Sequence, residues 1–227
     1  MTLSSHAIGN GSPATFLHGF TQTSHSWSHL VEKLPFTSTL IDLPGHGDSP
    51  DGRRSLTQTA EEIADAMPAG CLIGYSMGAR MALHTALQYP HKVSALVLVS
   101  GTAGIRDNDE RTARRLSDIE LATHIQELGV PAFIDEWLSQ PLFAGLNSVT
   151  NQRADRLRNH AVGLADSLRF AGTGTQEPLW DQLHMLTMPV LLMCGTKDTK
   201  FHTIATEMGA SIPSSTCVAI EGVGHTV

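Results

Sequence analysis

The sequence predicts an α/β protein built on a mostly parallel sheet flanked by helices on both faces. Short apolar runs of strand length alternate with stretches of helical spacing, and one apolar run passes straight into a helix through Gly74-Tyr75-Ser76-Met77-Gly78. The apolar runs cover residues 14–17, 39–43, 71–75, 93–99, 189–194 and 216–220, each long enough for one strand. Helical spacing recurs between them at 24–34, 57–67, 76–89 and 202–210, and this alternation is what parallel strands with crossover helices require. The rhythm stops between residues 104 and 187, where helical patterns at 109–127, 131–139 and 150–169 follow one another without a strand. The expected organisation is therefore a core of residues 1–103 and 188–227, interrupted by a helical cap insertion at 104–187. An insertion after the run at 93–99 would stand over the carboxyl ends of the strands, where open α/β sheets bind ligands.

Composition narrows the class of partner. A chain of 227 residues with 41% hydrophobic content can bury a full core, and a net charge of −7 with a pI near 5.9 argues against a nucleic-acid or anionic-membrane surface. Residues 1–13 lack the basic flank and apolar centre of a signal peptide, and no apolar stretch approaches membrane-spanning length, so the expectation is a cytoplasmic protein acting on a small molecule. Cys71, Cys194 and Cys217 lie singly in apolar runs and are expected to be buried, reduced thiols. His25 and His29 have the spacing of metal ligands on a helix, but no third ligand follows in a recognisable pattern, so no metal is expected. Gly9-Asn10-Gly11 has no strand before it and no Lys-Ser/Thr after it, and reads as a turn.

The chemistry is expected at Ser76. A sharp strand-to-helix turn leaves no room for side chains on its flanks, so glycine at 74 and 78 lets the serine adopt strained dihedrals and project its oxygen. A serine hydroxyl is a weak nucleophile or base until a histidine takes its proton and an acid orients that histidine. Asp198 follows the run at 189–194, His225 follows the run at 216–220, and the chain order Ser, Asp, His is one that such elbows use. Taken singly, Asp198 is equally a turn or helix-cap residue and His225 a solvated tail residue; the joint order favours a triad. Backbone amides beside the serine would stabilise a developing oxyanion, and the candidates are Met77, directly after it, and Phe20 in His18-Gly19-Phe20, after the first clear strand. Residues 42–49 read as a structural turn without chemistry.

Across residues 16–225 these features resemble the α/β-hydrolase superfamily. Within it, residues 74–80, 137–143, 172–180 and 195–201 are similar to the 2-succinyl-6-hydroxy-2,4-cyclohexadiene-1-carboxylate synthases of menaquinone biosynthesis. The resemblance implies an α/β-hydrolase fold with a helical cap and a lyase that eliminates pyruvate from a succinyl-substituted cyclohexene carboxylate without a cofactor. It further implies Ser76, Asp198 and His225 as the triad, Arg80, Arg114 and Arg158 as carboxylate-binding groups, and Tyr75 and Trp137 as pocket-lining residues. Arg114 has Arg111 and Arg115 beside it as competitors for that role. Members of the family usually continue past the histidine with a helix, whereas this sequence stops at Thr226-Val227, so His225 is expected to be loosely held.

The arginines point independently to an anionic ligand. Eight of the eleven (Arg106, Arg111, Arg114, Arg115, Arg153, Arg156, Arg158, Arg169) fall in the insertion, which has no lysine, and the guanidinium fork suits carboxylates. The plainer alternative is a set of surface helix ion pairs with neighbouring Asp and Glu residues. Arg80 stands apart because it lies one helical turn beyond Ser76 and can share the face that looks into the pocket. Trp137 and Trp180 are equally readable as core anchors. Two other functions stay open at this level: a carboxylesterase or carbon–carbon bond hydrolase, and a ligand-binding protein whose triad is idle.

Overall fold

The computed structural model describes residues 2–50, 53–143 and 145–226. Among these, β1 (Ser5–Ile8), β2 (Ser12–Leu17), β3 (Phe36–Ile41), β4 (Gly70–Tyr75), β5 (Val93–Val99), β6 (Val190–Gly195) and β7 (Ser215–Ile220) form one sheet in the order β1-β3-β2-β4-β5-β6-β7. Every neighbouring pair is parallel except β1 with β3. In the register Leu17 lies opposite Gly74, Tyr75 opposite Val99, Val99 opposite Met193 and Gly195 opposite Ile220. The carboxyl ends of β2, β4, β5, β6 and β7 therefore share one edge of the sheet, and the loops that follow them bring distant residues together.

Helices cover the sheet: α1 (Ser28–Val31), α2 (Leu56–Ala66), α3 (Met77–Gln88) and α8 (Thr199–Ser211) belong to the core. The cap comprises α4 (Asn108–Leu128), α5 (Val130–Leu138), α6 (Arg153–Arg156) and α7 (Ala161–Ala171). Helix α2 begins at a capping box, in which Ser55 accepts from the Gln58 amide and Gln58 accepts from the Ser55 amide, an arrangement worth about 1 kcal/mol. Helix α3 buries every residue from Met77 to Ala86, because it packs against β4 and β5 on one side and α2 on another. One apolar core joins Leu17, Ile41, Leu72, Leu83, Leu96 and Leu192. A second lies inside the cap around Ile125, Phe133, Ile134 and Leu164, and Phe20 packs against both.

Four expectations change. Strand β1 was not anticipated, since Ser-His-Ala-Ile offers no apolar run and only half-buries alternate residues on an edge strand. The helix expected at 24–34 is a 3-10 turn at Ser24–Trp27 followed by the single turn α1. There the Ser26 hydroxyl donates to Thr23 O (2.7 Å) and Thr23 Oγ1 accepts from the His25 amide, side-chain bonds that compete with a regular helix. The helix expected at 150–169 divides into α6 and α7, because Asn159 Nδ2 donates to Thr21 O (2.6 Å) and His160 is extended. Of the three cysteines expected to be buried only Cys194 is: Cys71 is half-buried and Cys217 is exposed on edge strand β7, although its thiol tucks under α8 and donates to Ala205 O at 3.4 Å.

Candidate active site

Ser76 sits between β4 and α3 with φ 52° and ψ −107°, a conformation that few non-glycine residues adopt. The turn tolerates nothing larger than hydrogen on either side. A Cβ on Gly74 would stand 2.3 Å from Gly78 O, and one on Gly78 would stand 2.3 Å from Leu17 O. The neighbouring strand β2 is therefore pressed against the start of α3, which carries the loop after Leu17 up to the serine.

His225 Nδ1 donates to Asp198 Oδ2 at 2.6 Å, and Nε2 faces Ser76 Oγ at 3.0 Å. A carboxylate only accepts, so the Nδ1 proton is fixed by Asp198 and Nε2 is left free to take the serine proton. Burial pushes the His225 pKa below 6.5, while the Asp198 bond works in the opposite direction. The imidazole is consequently held neutral near pH 7, as a base must be. Asp198 also caps α8 by accepting from the Phe201 amide at 3.3 Å.

The expectation of a loose His225 is not met. Its ring lies 4.5 Å from the Phe201 ring and 5.7 Å from the Tyr75 ring, its carbonyl accepts from Ser100 Oγ at 2.9 Å, and it is 5% exposed. Thr226, the next residue, shares a 3.1 Å hydrogen bond with the Tyr75 hydroxyl.

Opposite the serine, the loop after β2 is locked from beneath. His18 Nδ1 donates to Gly19 O (2.8 Å) and its Nε2 accepts from the Leu43 amide (3.0 Å), so the buried ring is neutral and its pKa is lowered by burial. The Gly19 amide donates to Gln22 Oε1 at 2.9 Å, and a Cβ on Gly19 would meet Tyr75 Cε1 at 2.7 Å. The Phe20 and Met77 amides make no hydrogen bond among the described residues, which leaves both donors available to an oxyanion. The turn at 42–49 is a scaffold: Asp42 accepts from the Ser24 amide (2.7 Å) and the Asp48 amide (3.0 Å), and Ser49 Oγ donates to Asp42 O (2.6 Å).

Phe20 meets Trp137 edge-on at 5.4 Å, and Trp137 stacks on Phe133 at 5.7 Å, so Trp137 joins the cap core to the loop after β2. Trp180 lies away from this wall; its Nε1 donates to Gly104 O and the Arg106 guanidinium covers its ring at 3.5 Å. Arg80 is 6% exposed and donates to Ala171 O at the end of α7. Burial chiefly, together with the like charge of Arg114, lowers its pKa to about 10, while Asp118 acts against them; it stays charged at neutral pH. Arg114 Nε donates to the buried Asp118 at 2.7 Å. Arg158 lies outside this group, on a half-exposed ion pair of 3.1 Å with Asp48.

Arg156, counted among the insertion's arginines but not singled out from the sequence, is the one that turns inward beside the loop after β2. It is 2% exposed, donates to Phe20 O and to Thr21 Oγ1, and covers the Phe143 ring at 5.6 Å. Burial lowers its pKa, and electrostatic interaction with nearby Tyr75 and Asp155 opposes that shift. In the sequence Arg156 and Arg158 are two positions apart on one short segment, and no local signal says which turns inward.

Sheet order, strained elbow and hydrogen-bonded Ser76–His225–Asp198 define a serine-triad α/β enzyme. The model of the alpha/beta hydrolase family matches residues 16–227, and the chain belongs to that family. A Bacillus subtilis (strain 168) protein, provisionally named a 2-succinyl-6-hydroxy-2,4-cyclohexadiene-1-carboxylate synthase, is 41% identical over 93% of this chain and 82% of its own length. The synthase of that name from Salmonella typhimurium (strain LT2) is 33% identical, with 95% and 88% covered. Among solved structures, MenH from S. aureus superposes with a TM-score of 0.90 at 30% identity, covering 99% of this chain and 91% of that one. A thermophilic esterase from Thermogutta terrifontis reaches 0.82 at 24% identity, covering 98% and 86%, a likeness of fold alone.

Proposed function

We propose that this chain eliminates pyruvate from 2-succinyl-5-enolpyruvyl-6-hydroxy-3-cyclohexene-1-carboxylate to give 2-succinyl-6-hydroxy-2,4-cyclohexadiene-1-carboxylate, in menaquinone biosynthesis. The observation that carries this reading is the relay from Ser76 through His225 to Asp198 in a chain 41% identical to a protein named for that synthesis. His225 Nε2 takes the serine proton, and Ser76 Oγ removes the proton α to the succinyl carbonyl. The electron pair forms a new ring double bond as the existing one shifts by one position, the ring carbon–oxygen bond to the enolpyruvyl group breaks, and the departing pyruvate enolate takes up the proton held on His225, which returns the triad to its starting state. The Phe20 and Met77 amides would hold the enolate-like oxygen, and Tyr75 and Trp137 would line the pocket.

The substrate is a polycarboxylate, and two buried guanidiniums, Arg80 and Arg156, favour that choice over a neutral ester. Arg114 is assigned with Arg80, whose charge it adjoins. Arg158 is a rim residue in this reading, since Asp48 already occupies it. Among the described residues no helix is long and apolar enough to cross a membrane. Purified chain supplied with the enolpyruvyl substrate is expected to release pyruvate in proportion to diene formation, and Ser76→Ala to abolish both. Ester turnover without pyruvate release would overturn the assignment.

A further inference from the structure

Apart from the buried Arg156, the cap's arginines divide into two sets. Arg106, Arg114, Arg153 and Arg158 each meet a carboxylate at 2.5–3.1 Å. Three others line a groove of about 380 Å³ beside α4 and have no carboxylate that close among the described residues, Arg111 and Arg169 donating instead to Asn108 Oδ1 and Gln126 Oε1, each at 2.8 Å. Arg111 reaches Glu177 only at 3.6 Å, Arg169 reaches Asp166 only at 3.9 Å, and the exposed Arg115 has no ion pair among the described residues. Glu177 is the one carboxylate among the described lining residues and Asp166 stands 3.9 Å from Arg169, so three positive charges there face two distant negative ones, in a chain whose net charge is −7. No residue of the triad lines this groove.

Its floor is rigid. The Gly174 turn is packed so closely on α4 that a Cβ would lie 2.2 Å from the Arg115 amide nitrogen, and the Gly174 amide donates to buried Asp118 at 3.0 Å. Phe170 forms one wall, and the Arg53 guanidinium over its ring at 5.4 Å helps to hold that wall in place. A guanidinium gains most from a carboxylate or phosphate that it can grip with two hydrogen bonds, and neither 3.6 nor 3.9 Å provides that grip.

We infer that the groove between α4, the end of α7 and the Gly174 turn is a second anion site, which takes a small ligand carrying two or more negative charges, a polycarboxylate or a polyphosphate. The inference is independent of the reaction at Ser76. Such a ligand would tie α4 to the end of α7, whose Ala171 carbonyl holds Arg80, and so would stiffen the cap next to the triad.

Isothermal titration of the full chain at constant ionic strength, with citrate and pyrophosphate as separate probes, tests this. Saturable binding is expected for at least one probe, and the tighter probe identifies the source as carboxylate or phosphate. Arg115→Ala should weaken binding by about tenfold or more, the loss of one bidentate contact. Glu177→Gln, which removes the competing carboxylate, should tighten it, an outcome that damage to the fold cannot imitate. Absence of saturable binding for both probes, or equal affinity in wild type and both groove variants, would overturn the inference, the latter by placing the anion outside this groove.

Discussion

Replacing Asp198 by Asn tests the relay at its most informative bond. The carboxylate lies 2.6 Å from His225 Nδ1, with the two side chains 10% and 5% exposed, so little water screens the pair. When His225 takes the serine proton, the imidazolium and carboxylate charge centres stand about 4 Å apart, and at an effective dielectric near 20 their attraction is about 4 kcal/mol. An amide loses that attraction. It also lets the ring turn to the tautomer whose Nε2 carries the proton, which cannot accept one from Ser76. The attraction alone corresponds to about 10³ in rate, and the tautomer raises the expected loss to roughly 10³–10⁴ in kcat with little change in stability. Pyruvate release followed by a coupled dehydrogenase measures it. The acid limb of the pH profile carries a second readout. Wild-type activity should rise through a pKa below 6.5, because burial lowers that of His225, and Asp198→Asn should move the limb lower still, because the upward contribution of Asp198 is gone. A variant within tenfold of wild type, with an unmoved acid limb, would refute the orienting role of Asp198.

Arg156→Ala should raise KM for the polycarboxylate at least tenfold, since a buried charged hydrogen-bonding group is removed, whereas Arg158→Ala, which breaks a half-exposed ion pair worth about 0–1 kcal/mol, should change it less than threefold; equal effects would count against the inward role of Arg156. Gly78→Ala should destabilise the fold by about 1–3 kcal/mol, because the new methyl meets the Leu17 carbonyl of a central strand that cannot move aside, and an unchanged melting temperature would contradict the close approach. Buried histidines set the acid stability. His46 and His84 have pKa values lowered mainly by burial, to about 3 and about 4, so the folded state binds fewer protons than the unfolded one below pH 6.5. Their stabilisation is complete above pH 6.5 and declines as pH falls toward those values, by about 2 kcal/mol each at pH 5. Chemical denaturation should show His84→Gln flattening the slope between pH 6.5 and 4, and a parallel slope would exclude His84 from it.

Much of the fold was legible because its signals are local. The parallel strands appear as apolar runs, since both faces of such a sheet are covered, and the elbow appears as glycines at 74 and 78, since backbone oxygens stand where their side chains would be. Elements that depend on competition between side chains were less legible. Ser5–Ile8 pairs as an edge strand without an apolar signature, and Asn159 ends one helix by bonding to Thr21, 138 positions away in sequence. The site shows the same division. Ser76, Asp198 and His225 could be proposed from their order along the chain, but their separations of 2.6 and 3.0 Å depend on strand register.

By itself the sequence determined the alternation of strands and helices, the position of the elbow and the charge type of the cap. Those properties depend on hydrophobic period and steric size, which act over a few residues. Only the tertiary structure decided that Arg156 turns inward while Arg158 pairs with Asp48, that Phe201, Tyr75 and Ser100 hold His225 in place, and that Arg115 has no carboxylate partner among the described residues. The reason is that burial and charge pairing are set by which surfaces meet, and the surfaces concerned come from segments far apart along the chain.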